Sequence, residues 1–297
     1  MSLTFEESIA HLLDIIHIPI TERPPMDVAC IQLVSTEINN GENISIVVLR
    51  SPHLIPLDII EKLFRITLVY TAAAFLVDVN TIFADDRQDH LSHTFLGGGN
   101  VFLLGKLSSR IVEDKTVTLP GAPSIQIFAH ANVHTYDIPN TNNHKALYLS
   151  GVCCDPHQQG RGFATTLMTE SIKILRLIEN VRYLTLRTMN HAVVKLCKRS
   201  CRNNTISEEE RKEVPVYPVD VMENRPDLIH VCNTISNIFG WKDVVPEHLI
   251  IKQAYPAHLI PIFRGNVDPN KKDPILDSME AIFNRDQGDA IFCIVDL

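Results

Sequence analysis

The residues with the clearest chemical purpose lie between Leu149 and Met168, LSGVCCDPHQQGRGFATTLM. An apolar run ends at Val152, Cys153 and Cys154, Asp155-Pro156 signals a turn, and Gln159-Gly160-Arg161-Gly162-Phe163-Ala164-Thr165 opens a helix-forming segment. Strand, glycine-bearing loop and helix start together leave backbone N–H groups facing an anion. Gly160 and Gly162 have no Cβ to hold a phosphate away, and Arg161 adds a permanent charge. The chemistry this predicts is a diphosphate cradle. Two nucleotide loops fit less well. The Walker pattern requires Gly-Lys-Ser/Thr, which Gly162-Phe163-Ala164 does not supply. The dinucleotide fingerprint requires a third glycine and a downstream acid, whereas Tyr183–Arg187 ends in a base.

Gln159, Gly162 and Ala164 form Gln-x-x-Gly-x-Ala, which resembles the acetyl-CoA motif of the GCN5-related N-acetyltransferases. The preceding Val-Cys-Cys-Asp-Pro resembles the exit of that family's fourth strand. The resemblance is specific over about twenty residues and looser from Ile44 to Val295. It implies an α/β (α+β) acyl-CoA N-acyltransferase fold: a central mixed β-sheet flanked by helices, with N-terminal and C-terminal additions. It also implies acetyl-CoA as co-substrate and an amine acceptor. Val152, Cys153, Cys154, Gln159, Gly160, Arg161, Gly162, Phe163, Ala164 and Thr165 then hold the donor. Asn190, in Thr188-Met189-Asn190-His191-Ala192, resembles the family's Asn near the pantetheine.

One departure from the family pattern affects the leaving group. Members often carry a Tyr in the following helix as general acid for the departing thiolate. By spacing from Asn190, Cys197 stands there, and the usual Gly-Phe is replaced near Ser200-Cys201. A thiol can protonate a thiolate, but a small core residue is the plainer reading of Cys197. Tyr148 and Ser150 share one face of the fourth strand, opposite Leu147 and Leu149, and are candidates to hold a water or touch the acceptor. The adjacent Cys153 and Cys154 raise a covalent acyl-cysteine route, disfavoured because neither has a clear histidine partner. A non-catalytic acyl-CoA-binding module and a donor other than acetyl-CoA are the rival readings.

The elements that must position these residues follow from periodicity. Phe5–Ile16 reads as a helix with Thr4 and Glu7 as a capping box. Cys30–Thr36 and Ile44–Leu49 read as strands, Pro56–Phe64 and Ile66–Val77 as two helices, and Val101–Leu104, Ser124–Ala131 and Ala146–Cys154 as strands. Phe163–Ile178 is an amphipathic helix with Leu167, Ile174 and Ile178 inward, Tyr183–Arg187 a strand, and the segment from Asn190 through Cys197 another helix. Arg199–Arg225 is polar and charged and reads as a flexible insertion or a solvated helix. Val244–Tyr255 and Ala290–Val295 read as the last strands, with a short helix over Ile275–Phe283. Residues 1–43 are expected to be a helical or irregular extension. Residues 44–297 are expected to form one N-acetyltransferase domain with an insertion around 199–243. Asp85–His93 is read as a solvated loop rather than a metal site, and Gly97-Gly98-Gly99 as a turn.

The 297 residues are 45% hydrophobic and 21% charged, enough to bury a sizeable core. A net charge of −8 disfavours nucleic-acid binding through phosphate neutralisation. Seven cysteines, with no Cys-x-x-Cys pair, point to a reducing, cytoplasmic compartment. The apolar stretches are too short for a membrane span, and no signal-peptide pattern is found.

Overall fold

In a computed structural model the described residues are 31–37, 43–50, 52, 55, 57–74, 95, 99–107, 115–118, 124–202, 215–220, 225–257, 260–263 and 272–297. The expected helix at Phe5–Ile16, the loop at Asp85–His93 and Gly97-Gly98 lie outside them. The chain divides into two compact units, Met1–His134 with Ser150–Leu167, and Thr135–Leu149 with Met168–Leu297.

In the first unit, β1 (Ile31–Glu37) pairs antiparallel with β2 (Asn43–Arg50), and β2 pairs antiparallel with β3 (Asn100–Leu107). The β-branched residues Ile44, Ile46, Val47 and Val48 suit β2 to a fully buried position, and all are almost completely covered. β3 pairs antiparallel with β5 (Ser124–Asp137), which also takes the short β4 (Thr116–Thr118). The β3–β5 register slips between Leu104 and Gly105, where a Cβ on Gly105 would lie 2.0 Å from the Gln126 carbonyl oxygen. Only glycine admits that approach.

Helix α1 (Leu57–Ala74) covers this unit's core. Ile60, Leu63, Phe64 and Leu68 follow the helical spacing and bury against Val47, Leu49, Leu103, Ile125 and Ile127. Each such side chain contributes about 1.5–3 kcal/mol by leaving water. The two helices expected over 56–77 are thus one continuous helix as far as Ala74. Nothing at Phe64-Arg65-Ile66 breaks it, and Arg65 reaches Glu61 one turn back at 2.9 Å.

β6 (Lys145–Cys154) begins in the second unit, where it pairs parallel with β7 (Val181–Thr188), from Lys145↔Val181 to Tyr148↔Thr185. The crossover between them is α2 (Phe163–Ile178), matching the expected span. β7 pairs antiparallel with β10 (Ala290–Asp296), and β10 with β9 (Ile250–Ile251), which pairs with β8 (Val244–Val245). Antiparallel pairs with one parallel pair define a mixed β-sheet flanked by helices.

Helix α3 (His191–Arg202) follows β7, and its inward face is Val194, Cys197, Ser200 and Cys201. Helix α4 (Pro226–Phe239) falls where sequence reading expected an insertion. Leu228, Val231, Cys232 and Ile235 recur at helical spacing and bury with Tyr148, Tyr183, Phe292 and Ile294. Pro226 opens it, and Gly240, at φ 62°, closes it. The single strand expected over Val244–Tyr255 is broken. Pro246 starts a 3-10 turn and Leu249 turns the chain at φ 53°, so β8 and β9 are two residues each. The short α5 (Ile260–Phe263) precedes α6 (Pro274–Ile282), which Asp273 caps by accepting from the N–H groups of Ile275 and Leu276.

Candidate functional site

The exit of β6 is fixed before the loop begins. Asp155 is buried, and its carboxylate accepts from Lys115 Nζ at 2.6 Å and from the His157 N–H at 3.0 Å. Its own N–H donates to the Phe128 carbonyl oxygen at 2.8 Å. Ser150 Oγ donates to the Asn132 carbonyl oxygen at 3.1 Å. The stretch from Ser150 to Asp155 therefore runs antiparallel beside Asn132 to Phe128. Ala146–Leu149 are buried, whereas Ser150 through Cys154 are all half-buried, on both strand faces. Ser150–Cys154 thus retains access from both sides of the strand.

A 3-10 turn at Pro156–Gln158 leads into the loop. Gly160 has φ 80° and Gly162 φ 86°, and a Cβ at either would meet nothing within 4 Å. Their left-handed backbone is what glycine permits cheaply, and the space beside them is open. Phe163 is buried, stacked on Phe128 with ring centroids 5.3 Å apart. The Arg161 guanidinium lies 4.7 Å from the Phe163 ring centre and bonds Gln158 Oε1. The first α-helical bond of α2 runs from the Thr166 N–H to the Gly162 carbonyl oxygen. Helical geometry gives the N–H groups of the preceding turn no intrahelical acceptor, so they and the helix dipole face the loop.

The sequence-selected cysteines are placed for packing more than for reaction. Cys153 receives a hydrogen bond from Thr71 Oγ1 at 3.5 Å, and burial pushes its thiol up. Cys154 is pushed up to about 11 by burial and then by the negative charge of Asp155. Thiols held up in this way are poor nucleophiles at neutral pH. Cys197 is wholly buried, and burial drives its thiol well above the ordinary value. Asn190 caps α3, its Oδ1 accepting from the Ala192 N–H at 2.9 Å.

Tyr148 stands in an aromatic cluster that local sequence patterns do not disclose. Its ring lies 4.6 Å from Phe239 and 5.9 Å from Trp241, centre to centre, and Phe239 stacks on Trp241 at 5.0 Å. Burial raises the Tyr148 phenol, and the Arg187 guanidinium acts against that rise. Arg187 lies 5.1 Å from the Trp241 ring centre and 5.0 Å from that of Tyr255. Its partners come from positions far along the chain, which is why sequence reading passed over it. A second feature was legible but missed. His130, Asn132 and His134 recur at every second position of β5, and all three are buried.

Residues 126–201 match the model of the Acetyltransferase (GNAT) family. That segment runs from β5 to α3 and holds the glycine loop and Asn190, so this part of the chain is similar to the GNAT acetyltransferases. No curated protein matches it in sequence. Among solved structures it is similar to NAA60 of Arabidopsis thaliana in complex with acetyl-CoA, at 13% identity over 38% of this chain and 68% of that one, with a TM-score of 0.30. It is similar to glucosamine-6-phosphate N-acetyltransferase of Arabidopsis thaliana at 11% identity, over 49% of this chain and 82% of that one, with a TM-score of 0.31. An aminoglycoside acetyltransferase from an uncultured soil metagenomic sample aligns at 11% identity over 48% of this chain and 78% of that one, with a TM-score of 0.32. Among the described residues no helix is long and apolar enough to cross a membrane, and no cluster of metal ligands occurs.

Proposed function

We propose that the chain moves the acetyl group of acetyl-CoA to a primary amine by direct attack in a ternary complex. The observation that carries this reading is the loop between β6 and α2. Two left-handed glycines, Gly160 and Gly162, flank Arg161, with open space where side chains would stand. An anionic diphosphate fits a surface of bare backbone at a helix start. Gln159, Gly160, Arg161, Gly162, Phe163, Ala164 and Thr165 are its proposed holders, with the main chain of Val152, Cys153 and Cys154 beside the pantetheine. The raised thiols favour attack by the amine itself over an acyl-cysteine. The single-domain organisation read from the sequence remains part of this proposal.

A second reading is a non-catalytic acyl-CoA-binding module on the same fold. The burial of Cys197 favours it, because that position then offers no acid for the departing thiolate. Two measurements decide. Acetyl-CoA titrated against the full chain should raise the melting temperature by mass action, by about 2.7 kcal/mol of stabilisation at a hundredfold excess over Kd. No rise at millimolar ligand in folded protein overturns both readings. Release of free CoA thiol with any member of an amine panel selects the enzyme, and tight binding without release selects the module.

A further inference from the structure

Glycine weakens a strand, so a glycine within one calls for a cause. Gly105 in β3 has its cause in the close approach of the Gln126 carbonyl oxygen. At Gly99, directly before β3, a Cβ would lie 2.6 Å from the His134 ring, which fills that space. Gly151, inside β6, is different. Among the described residues a Cβ there would meet only the Asn132 amide nitrogen, at 3.6 Å, which is ordinary contact. Its backbone is not left-handed. Neither packing against the described residues nor backbone conformation therefore requires glycine at 151. A strand glycine also marks places where a ligand comes close to the main chain. Gly151 is half-buried, so such an approach is open.

Asn132 supplies the polar group at this notch. It is buried on β5 and held from both sides, by its pairing with Val101 of β3 and by the Ser150 Oγ bond to its carbonyl oxygen. Its amide lies on the face where Gly151 has no side chain. A side-chain amide carries two N–H donors, so one can serve a ligand whatever the other bonds. A buried donor fixed in advance stabilises charge developing on an oxygen without reorganising, which water cannot do. Gly151, Asn132 and the loop Gln159–Thr165 all belong to the first unit. An arm that leaves a diphosphate at the loop and follows the main chain of Cys154, Cys153 and Val152 arrives next at Gly151.

We propose that the thioester carbonyl of acetyl-CoA lies in the notch at Gly151, and that Asn132 Nδ2 donates to its oxygen as negative charge develops there. The proposal rests on the acetyltransferase reading and names, within its site, the position of transfer and the donor to the oxyanion. The amine lone pair forms the C–N bond while the carbonyl π pair moves onto the oxygen held by Asn132. Return of that pair re-forms the carbonyl and expels the CoA thiolate, which takes up the proton shed by the attacking nitrogen. Asn132 gives up no proton in either step.

The test uses the full chain with acetyl-CoA and the best amine of the panel, and adds S-ethyl-CoA, a thioether without the carbonyl oxygen, as a binding probe. Asn132→Ala should lower kcat about a hundredfold and leave both KM values little changed. Gly151→Ala should keep or raise the melting temperature, because alanine suits a strand better than glycine. It should nevertheless lower kcat/KM about tenfold, because the methyl group displaces the carbonyl. Native turnover in folded Asn132→Ala or in Gly151→Ala overturns the proposal, as does a loss in Asn132→Ala carried by KM alone. Circular dichroism checks folding, and Gly151→Ala with calorimetry carries the test if Asn132→Ala is unfolded. By calorimetry the native chain should bind acetyl-CoA about fivefold more tightly than S-ethyl-CoA, and both substitutions should remove the difference. Equal binding of the two by the native chain overturns the proposal, and this arm decides even if no amine is acetylated. Failure of acetyl-CoA to bind the native chain is a separate result, which removes the acetyltransferase reading and the notch with it.

Discussion

At the scale of single residues, the glycine loop makes the sharpest demands. Gly162 has φ 86°, so Gly162→Val forces a β-branched residue into the left-handed region. The strain costs about 1–3 kcal/mol. No protein atom lies within 4 Å of the new Cβ, so the fold should survive. A bound diphosphate would meet that side chain, and acetyl-CoA affinity should fall at least tenfold, about 1.4 kcal/mol. Arg161→Ala should weaken binding less, because the backbone donors and the helix dipole remain. Calorimetry on both variants checks this, and native affinity in folded Gly162→Val would remove the loop from the donor site. The cysteines make a complementary case. Cys153→Ala and Cys154→Ala should each keep most turnover, and loss of activity with an acyl-cysteine trapped by mass spectrometry would reinstate the covalent route. The loop was legible because its residues are contiguous and each answers to a local rule. Arg187 was not, because Trp241 and Tyr255 lie more than fifty positions away in the sequence, and nothing beside Arg187 marks them.

At the scale of elements, the sequence disclosed periodicity and concealed interruption. α2 was readable residue by residue, and α4 carried its own signals in Pro226 and Gly240. The break between β8 and β9 depends on Leu249 turning at φ 53°, a conformation that no leucine announces. A buried acid secures this region. Asp289 is almost fully covered and accepts from Lys252 Nζ at 2.8 Å, the Gln253 N–H at 3.0 Å and the Asn284 N–H at 3.3 Å. Burial alone would raise its carboxyl, but Lys252 and the two N–H groups outweigh that and hold it below the usual value. A folded-state value below the unfolded one contributes stability above about pH 3.9, and this is lost as pH falls through the lower folded value. Urea midpoints taken across this acidic range should therefore decline for the native chain. Asp289→Asn should be less stable at neutral pH and show a flatter decline, and parallel curves would refute the role.

At the scale of the molecule, composition set the class correctly, since a chain 45% hydrophobic buries extensive apolar surface in both units. The six described cysteines are free, and Cys197, Cys201, Cys232 and Cys293 are buried. Burial pushes Cys201 and Cys232 each up to about 12. A thiol reagent at pH 8 should leave these four unreacted in native protein and label all of them on denaturation. Their labelling rate under native conditions should then follow opening of the core. Rapid labelling of all four without denaturant would show that the core opens far more readily than its packing implies.

The shortness of β8 bears on how copies of this protein tolerate crowding. It ends the strand order of the second unit, two residues long, with Pro246 directly after it. An incoming strand would find too few exposed N–H and C=O groups to pair with, and proline withholds one more donor. That margin is therefore a poor template for strand-to-strand aggregation, whatever ligand the protein carries.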